Sequence, residues 1–206
     1  ASSAASDVYK RQTMSSMKNI VAKATVEENF PKEIAIYDLN EFLASLSIFK
    51  SPVLEFEEQY LTIKEEDQPH KKLTYFYSDP SVVQSPTKTI TMPSEEVKFH
   101  LDMNKLLEMK RAAGVIGSPD MVLQKSSGNS SLLVKDKKND TANNYSSDIK
   151  TDGDGEYKFF FKVENLKLFD GDYDVKISSK NISHFKNDKS NIEYWIALEP
   201  ESTYSN

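Results

Sequence analysis

EIAIYDLNEFLASLSIF, Glu33 to Phe49, runs a strand into a helix. Ile34 and Ile36 alternate with Ala35 and Tyr37, the period of a half-buried strand. Asp38 then stands where a helix N-cap belongs, and Leu39, Phe42, Leu43 and Leu46 return at helical spacing. The hinge D-L-N-E-F-L offers no nucleophile, metal ligand or phosphate loop. It does recur. Val97, Phe99 and Leu101 alternate before D-M-N-K-L-L at Asp102–Leu107, 64 positions after D-L-N-E-F-L at Asp38–Leu43. The second helix is expected to run to about Ala113, with Gly114 as its stop.

A fainter third copy is FFFKVENLKLF, Phe159 to Phe169, where a strand passes through Glu164 and Asn165 into a short apolar-faced helix. Short strands fill the intervals. Alternation and turn residues predict them at 20–26, 53–57, 60–64, 72–77, 121–125, 131–135, 145–149, 172–179, 182–185 and 192–198. Ser78 to Lys88 carries two prolines and no period, so it reads as a connector, and Thr89 to Met92 as an extended edge segment. A six-residue resemblance alone does not exclude coincidence; the same element order around both copies argues for a repeat. The fold class is therefore α+β, with helices gathered on one face of antiparallel sheets.

Composition narrows the function by exclusion. The 206 residues suffice for one large domain or two small ones, and 11 Phe with 10 Tyr can fill a core. With no cysteine there is no disulfide, thiol nucleophile or thiolate metal site. No apolar run is long enough to span a membrane, and no signal-peptide core stands at the N-terminus. Ala1 to Gln12 is small, polar and aperiodic, and reads as a leader foreign to the fold. The net charge of −6 disfavours a protein coated all over with nucleic acid, but permits a local basic face on an acidic body.

Tempting sites do not survive inspection. TDGDGEYKF, Thr151 to Phe159, would need a bidentate carboxylate at position twelve of a loop that starts with Asp152 as position one; that place holds Val163, so it reads as a turn between strands. His70, His100 and His184 lack ligand spacing. Gly114 to Asp120 follows a helix, whereas a phosphate loop opens one. KDKKND, Lys135 to Asp140, reads as a solvated hairpin tip balanced by its own aspartates. No serine elbow is present, and neither an enzyme, a metal nor a cofactor is expected.

YDLNEFLASLSIF (Tyr37–Phe49), FFFKVENLKL (Phe159–Leu168) and EYWIALEPEST (Glu193–Thr203) resemble the sliding clamp, the polymerase processivity factor, of T-even-type tailed phages. The resemblance runs in order from about Thr13 to the C-terminus. It implies a DNA-clamp fold with inner helices and outer sheets. A domain at 13–86, lacking the family's first helix and strand, ends in the connector, and a second domain occupies 87–206. It further implies a homotrimeric ring around double-stranded DNA, an ATP-driven clamp loader, a docked C-terminal peptide of the phage DNA polymerase, and work in the cytoplasm of the infected bacterium.

On a helical wheel Met103, Leu106, Leu107 and Ala113 share the buried side, with Asn104, Lys105, Glu108 and Arg111 opposite. Lys105 and Arg111 are thus the leading DNA-facing candidates, followed by Lys110, Lys167 on the last short helix, and Lys162 at a strand end. The partner-peptide pocket is expected near Val82 and Val83 of the connector and Trp195, Ile196 and Pro200 of the last strand and tail. The alternative is a non-enzymatic β-rich structural or adaptor protein of a phage virion, which needs neither the repeated unit nor cations on a helix crest.

Overall fold

The computed structural model describes residues 9–15, 17–26, 30–83 and 90–205. In chain order the elements are β1 (Tyr9–Met14), β2 (Ile20–Val26), α1 (Leu39–Ser47), β3 (Pro52–Phe56), β4 (Tyr60–Glu65), β5 (Gln68–Phe76), β6 (Val97–Leu101) and α2 (Met103–Ile116). There follow β7 (Asp120–Ser126), β8 (Asn129–Lys135), β9 (Tyr145–Asp148), β10 (Glu156–Lys162), β11 (Tyr173–Ser178), β12 (Ile182–Asn187), β13 (Ile192–Ala197) and β14 (Thr203–Ser205). Every strand pairing among the described residues is antiparallel.

These elements form two compact units, residues 27–85 and residues 1–26 with 86–206. In the smaller unit α1 packs on the sheet β3-β4-β5, and Phe42, Phe49, Leu61 and Ile63 form the core. The larger unit has a six-stranded sheet, β1-β2-β13-β12-β11-β6, and a five-stranded sheet, β14-β10-β7-β8-β9. Phe99, Leu123, Phe159, Val175, Phe185 and Ile196 pack in its core with Leu106, Met109 and Ala113 of α2. A tight corner joins the two sheets. Lys98 and Asp152 exchange backbone hydrogen bonds of 2.8 and 2.7 Å, and a Cβ on Gly153 would stand 2.9 Å from the Glu96 carbonyl oxygen. The glycine in TDGDG is there for close approach, not for a cation.

Local chemistry accounts for both helix starts. The Asp38 carboxylate accepts from Glu41 N–H at 3.0 Å and that of Asp102 from Lys105 N–H at 2.8 Å. α2 does not stop at Gly114. It continues to Ile116 and is closed by Gly117 in the left-handed region (φ 68°), whose N–H bonds back to Ala113.

Other sequence expectations change on folding. Residues 9–12, read as foreign leader, belong to β1 and pair with β2; residues 1–8 lie outside the described set. β2 forms as expected, yet its neighbour is β13, so it belongs to the larger unit's sheet although it precedes the smaller unit in sequence. Glu33–Tyr37 is not a ladder strand; its described backbone tie is Ser78 N–H to the Ala35 carbonyl. The third helix is a single 3-10 turn, Val163–Asn165, because Lys162 at its cap supplies no side-chain acceptor. Of the expected edge segment, Ile90–Met92 is not a strand and Thr89 lies outside the described residues.

Candidate nucleic-acid interface

α2 presents its cations in three different ways. Leu106, Met109 and Ala113 point into the core, so at 100° per residue the opposite crest is formed by Asn104, Leu107, Arg111 and Val115, all exposed. Leu107, expected on the buried side, is 43% exposed, and Met109 occupies the core position instead. Arg111 sits on the crest with no ion pair among the described residues. Lys110, on the flank, is partly buried and likewise unpaired.

Lys105 is committed elsewhere. Its Nζ lies 3.2 Å from Glu108 Oε2 and also donates to Ser147 Oγ of β9. Glu108 in turn accepts from the Tyr145 hydroxyl at 2.7 Å. That bond and the one from Lys105 hold the Glu108 carboxyl below its usual range, and the bond to Glu108 lifts the Tyr145 phenol. The trio therefore fixes α2 against β9, leaving Lys105 little freedom to follow a passing phosphate.

Lys162 is also structural. It reaches Asp120 Oδ1 at 2.7 Å, and that carboxylate, fully buried, accepts from Lys137 N–H at 3.1 Å as well. Lys137 bridges Glu199 at 2.7 Å and Glu201 at 2.8 Å. Burial works against its charge, but the two carboxylates win and its pKa is raised. KDKKND is thus no free hairpin tip; its third residue, Lys137, pins the C-terminal tail. One signal for this was legible: Asp120 heads the apolar run Met121–Leu123 and so needed a buried partner. Lys167 falls just beyond the 3-10 turn, exposed and unpaired among the described residues.

The expected peptide pocket is divided. Val82 and Val83 are 51% and 40% exposed beside a 3-10 turn of the smaller unit. Pro200 is exposed in the larger unit. Ile196 is fully buried in that unit's core and offers no surface to a partner. Trp195 alternates to the opposite face of β13 and is buried there, stacked on His184 at 4.8 Å. His184 Nε2 is 2.8 Å from Glu193, which also meets Lys23 of β2 at 3.3 Å. Burial pushes the Glu193 carboxyl up, yet His184 and Lys23 outweigh it and hold it low.

Charge is unevenly shared. Residues 27–85 contain twelve Asp and Glu against five Lys, a net of −7; with −6 for the whole chain, the larger unit carries +1. α1 has Glu41 and no basic residue. Among the described residues no group of side chains could hold a metal ion, and no helix is long and apolar enough to cross a membrane.

Against known proteins, the family model described as gp45 sliding clamp, C terminal, matches residues 98–200, half of the chain. The chain belongs to the gp45 sliding clamp family. The sliding clamp of Vibrio phage KVP40 is 29% identical over 194 residues, covering 91% of this clamp and 86% of that protein. The sliding clamp of Enterobacteria phage T4 is 26% identical over 198 residues, covering 89% and 82%. Among solved structures, the beta subunit from DNA polymerase of Streptococcus pyogenes superposes with a TM-score of 0.64 at 9% identity, over 95% of this clamp. This clamp spans 56% of the length of that subunit. The PCNA2-PCNA3 complex from Sulfolobus tokodaii gives 0.64 at 14% identity, over 95% of this clamp and 88% of that chain. The likeness shows an α+β clamp fold.

Proposed function

We propose that three copies of this clamp close head to tail around duplex DNA, slide along it without reading sequence, and tether the replicative polymerase. The reading is carried by Arg111, an unpaired cation on the crest of the long helix in a chain of the sliding clamp family. A few unpaired cations attract phosphate in water without fixing a base register, so each contact is weak, salt-screened and readily exchanged. Lys110 and Lys167 add to that contact, while Lys105 and Lys162 hold the wall rigid. The acidic smaller unit repels phosphate and keeps DNA off its surface.

A closed ring needs opening, which an ATP-driven loader supplies in the infected bacterium's cytoplasm. The polymerase docks a short apolar C-terminal peptide on exposed Val82 and Val83. Retention on DNA tests the reading. After loading, the clamp is expected to stay on nicked circles and to leave once the circle is linearised. Arg111→Glu combined with Lys110→Glu is expected to shorten retention with the oligomer intact. Equal retention on circles and linear fragments would overturn encirclement. Val82→Glu with Val83→Glu is expected to shorten the products of primer extension by the polymerase while leaving retention on circles unchanged.

A further inference from the structure

The chain from Leu166 to Asp172 follows the 3-10 turn and alternates like a strand without joining a ladder. Leu166 is buried and Leu168 packs against the core, so Lys167 and Phe169 are turned to solvent together. Phe169 is 60% exposed and has no ring partner among the described residues. An exposed apolar side chain is ordinary by itself. The mounting sets this one apart. Its N–H donates to the Tyr194 hydroxyl at 3.0 Å, and its carbonyl accepts from the Tyr173 hydroxyl at 2.6 Å. Both tyrosines are buried, with ring centroids 6.1 Å apart. Two residues on, Gly171 (φ 143°) lies so close to the buried Asn187 that a Cβ would collide with its amide. Gly171 N–H meets Met103 Sδ at 3.4 Å, and Asp172 Oδ1 accepts from Met103 N–H at 2.9 Å. The backbone around Phe169 is thus tied to the core and to the first turn of α2, where the exposed crest begins at Asn104.

We propose that Phe169 is a stacking platform for an unpaired base of single-stranded DNA, with Lys167 taking an adjoining phosphate. A clamp so equipped holds the single-stranded template beside a primer end as well as the duplex. That role at a primer end rests on the DNA-encircling reading; the stacking contact itself needs only the fold of the larger unit.

The chemistry selects the ligand. A phenyl ring offers its face to a base, and such stacking tolerates any sequence, as sliding requires. In a duplex the base faces are already covered by their neighbours. Duplex would have to be held here by phosphate, and the exposed Asp170 beside the ring opposes that. Lys167 is unpaired among the described residues and free to follow a phosphate of the same strand. A ring whose backbone is already fixed also loses less freedom on binding than one on a loose loop. Other exposed aromatics suit the role less. Phe76 lies against Tyr60 at 5.5 Å, Tyr145 is bonded to Glu108, and Tyr37 stands in the acidic smaller unit.

Fluorescence anisotropy of the full chain with labelled oligothymidylate tests the platform, against a duplex of equal length. Phe169→Ala is expected to weaken oligothymidylate binding about ten-fold, the scale of one base–ring stack, with its salt dependence and the duplex affinity unchanged. Phe169→Trp is expected to keep or tighten the contact. Lys167→Ala is expected instead to flatten the fall of log affinity with log salt by about 0.7. Because both side chains point out of the core, each variant is expected to melt with wild type, which separates a lost contact from a lost fold. Equal oligothymidylate affinity in wild type and Phe169→Ala would overturn the platform, as would an equal loss on duplex. Shortened primer extension by Phe169→Ala with oligothymidylate affinity intact would overturn it in favour of a protein contact. Retention on circles is a separate readout. If wild type leaves circles and linear DNA alike while Phe169→Ala still weakens oligothymidylate binding, encirclement falls and the stacking contact stands.

Discussion

The helices α1 and α2 open on similar six-residue segments, with the same Asp, Asn and final Leu, and become different structures. Both are capped by an aspartate whose carboxylate accepts from the N–H three residues on. After that shared start, α1 ends within nine residues over a three-stranded sheet, whereas α2 runs for fourteen over a much larger core. α1 leaves Leu39 and Leu43 more than half exposed and carries one acid; α2 shows arginine on its crest. The cap sets where a helix begins. The area available for burial sets how long it continues, since an isolated short helix is marginal in water.

The comparison extends to the carboxylates that tie each unit's turns. Asp120 in the larger unit is sealed from water and holds Lys162 and the Lys137 N–H. Removing it takes the closest carboxylate from the partly buried Lys162 ammonium and the acceptor from the Lys137 N–H, so Asp120→Ala is expected to lower stability by about 3–5 kcal/mol. Urea unfolding followed by Trp195 fluorescence measures this; an unchanged midpoint would show that water already satisfies Lys162. Met109→Ala comes next, at about 2–5 kcal/mol, against less than about 0.5 kcal/mol for Leu107→Ala two residues away. Equal costs would contradict the wheel seen here. The caps should behave alike despite their different surroundings: Asp38→Ala and Asp102→Ala each cost about 1 kcal/mol, read as equal losses in thermal unfolding.

The smallest effect is one of pH. Glu65 in the smaller unit accepts from Lys50 N–H at 2.9 Å and Ser51 N–H at 2.7 Å, with Lys71 at 3.3 Å. The two backbone donors and Lys71 outweigh burial and hold its carboxyl below the usual range. A depressed carboxylate contributes stability above its unfolded pKa, lost as pH falls through the lower folded value. Unfolding midpoints are therefore expected to drop on acidification below the ordinary glutamate range, less steeply in Glu65→Gln. Parallel acid profiles for the two proteins would remove Glu65 from the account.

Residues 97–114 disclosed a strand-to-helix plan, and Asp38 and Asp102 disclosed both caps, because capping and periodicity act within a few positions along the chain. The alternation at 33–37 misled, since a strand also needs a partner from elsewhere in the chain. The YDLNEFL and ALEPEST segments disclosed the family. Arg111 was legible as an exposed cation because helical geometry alone puts it opposite Leu106 and Met109. Lys105, a leading candidate, and Lys162, the last-ranked one, both looked available, and their partners show why they are not: Ser147 lies 42 positions from Lys105, and Asp120 lies 42 from Lys162. Trp195 and Ile196 were adjacent candidates for one pocket, but strand alternation put them on opposite faces of β13. Local spacing thus determined where helices start, which residues alternate and which family the chain joins. Only the tertiary structure decided which lysines remain unpaired, that β2 lies beside β13, and which strand edges stay open, because burial and sheet pairing depend on contacts made across long stretches of chain.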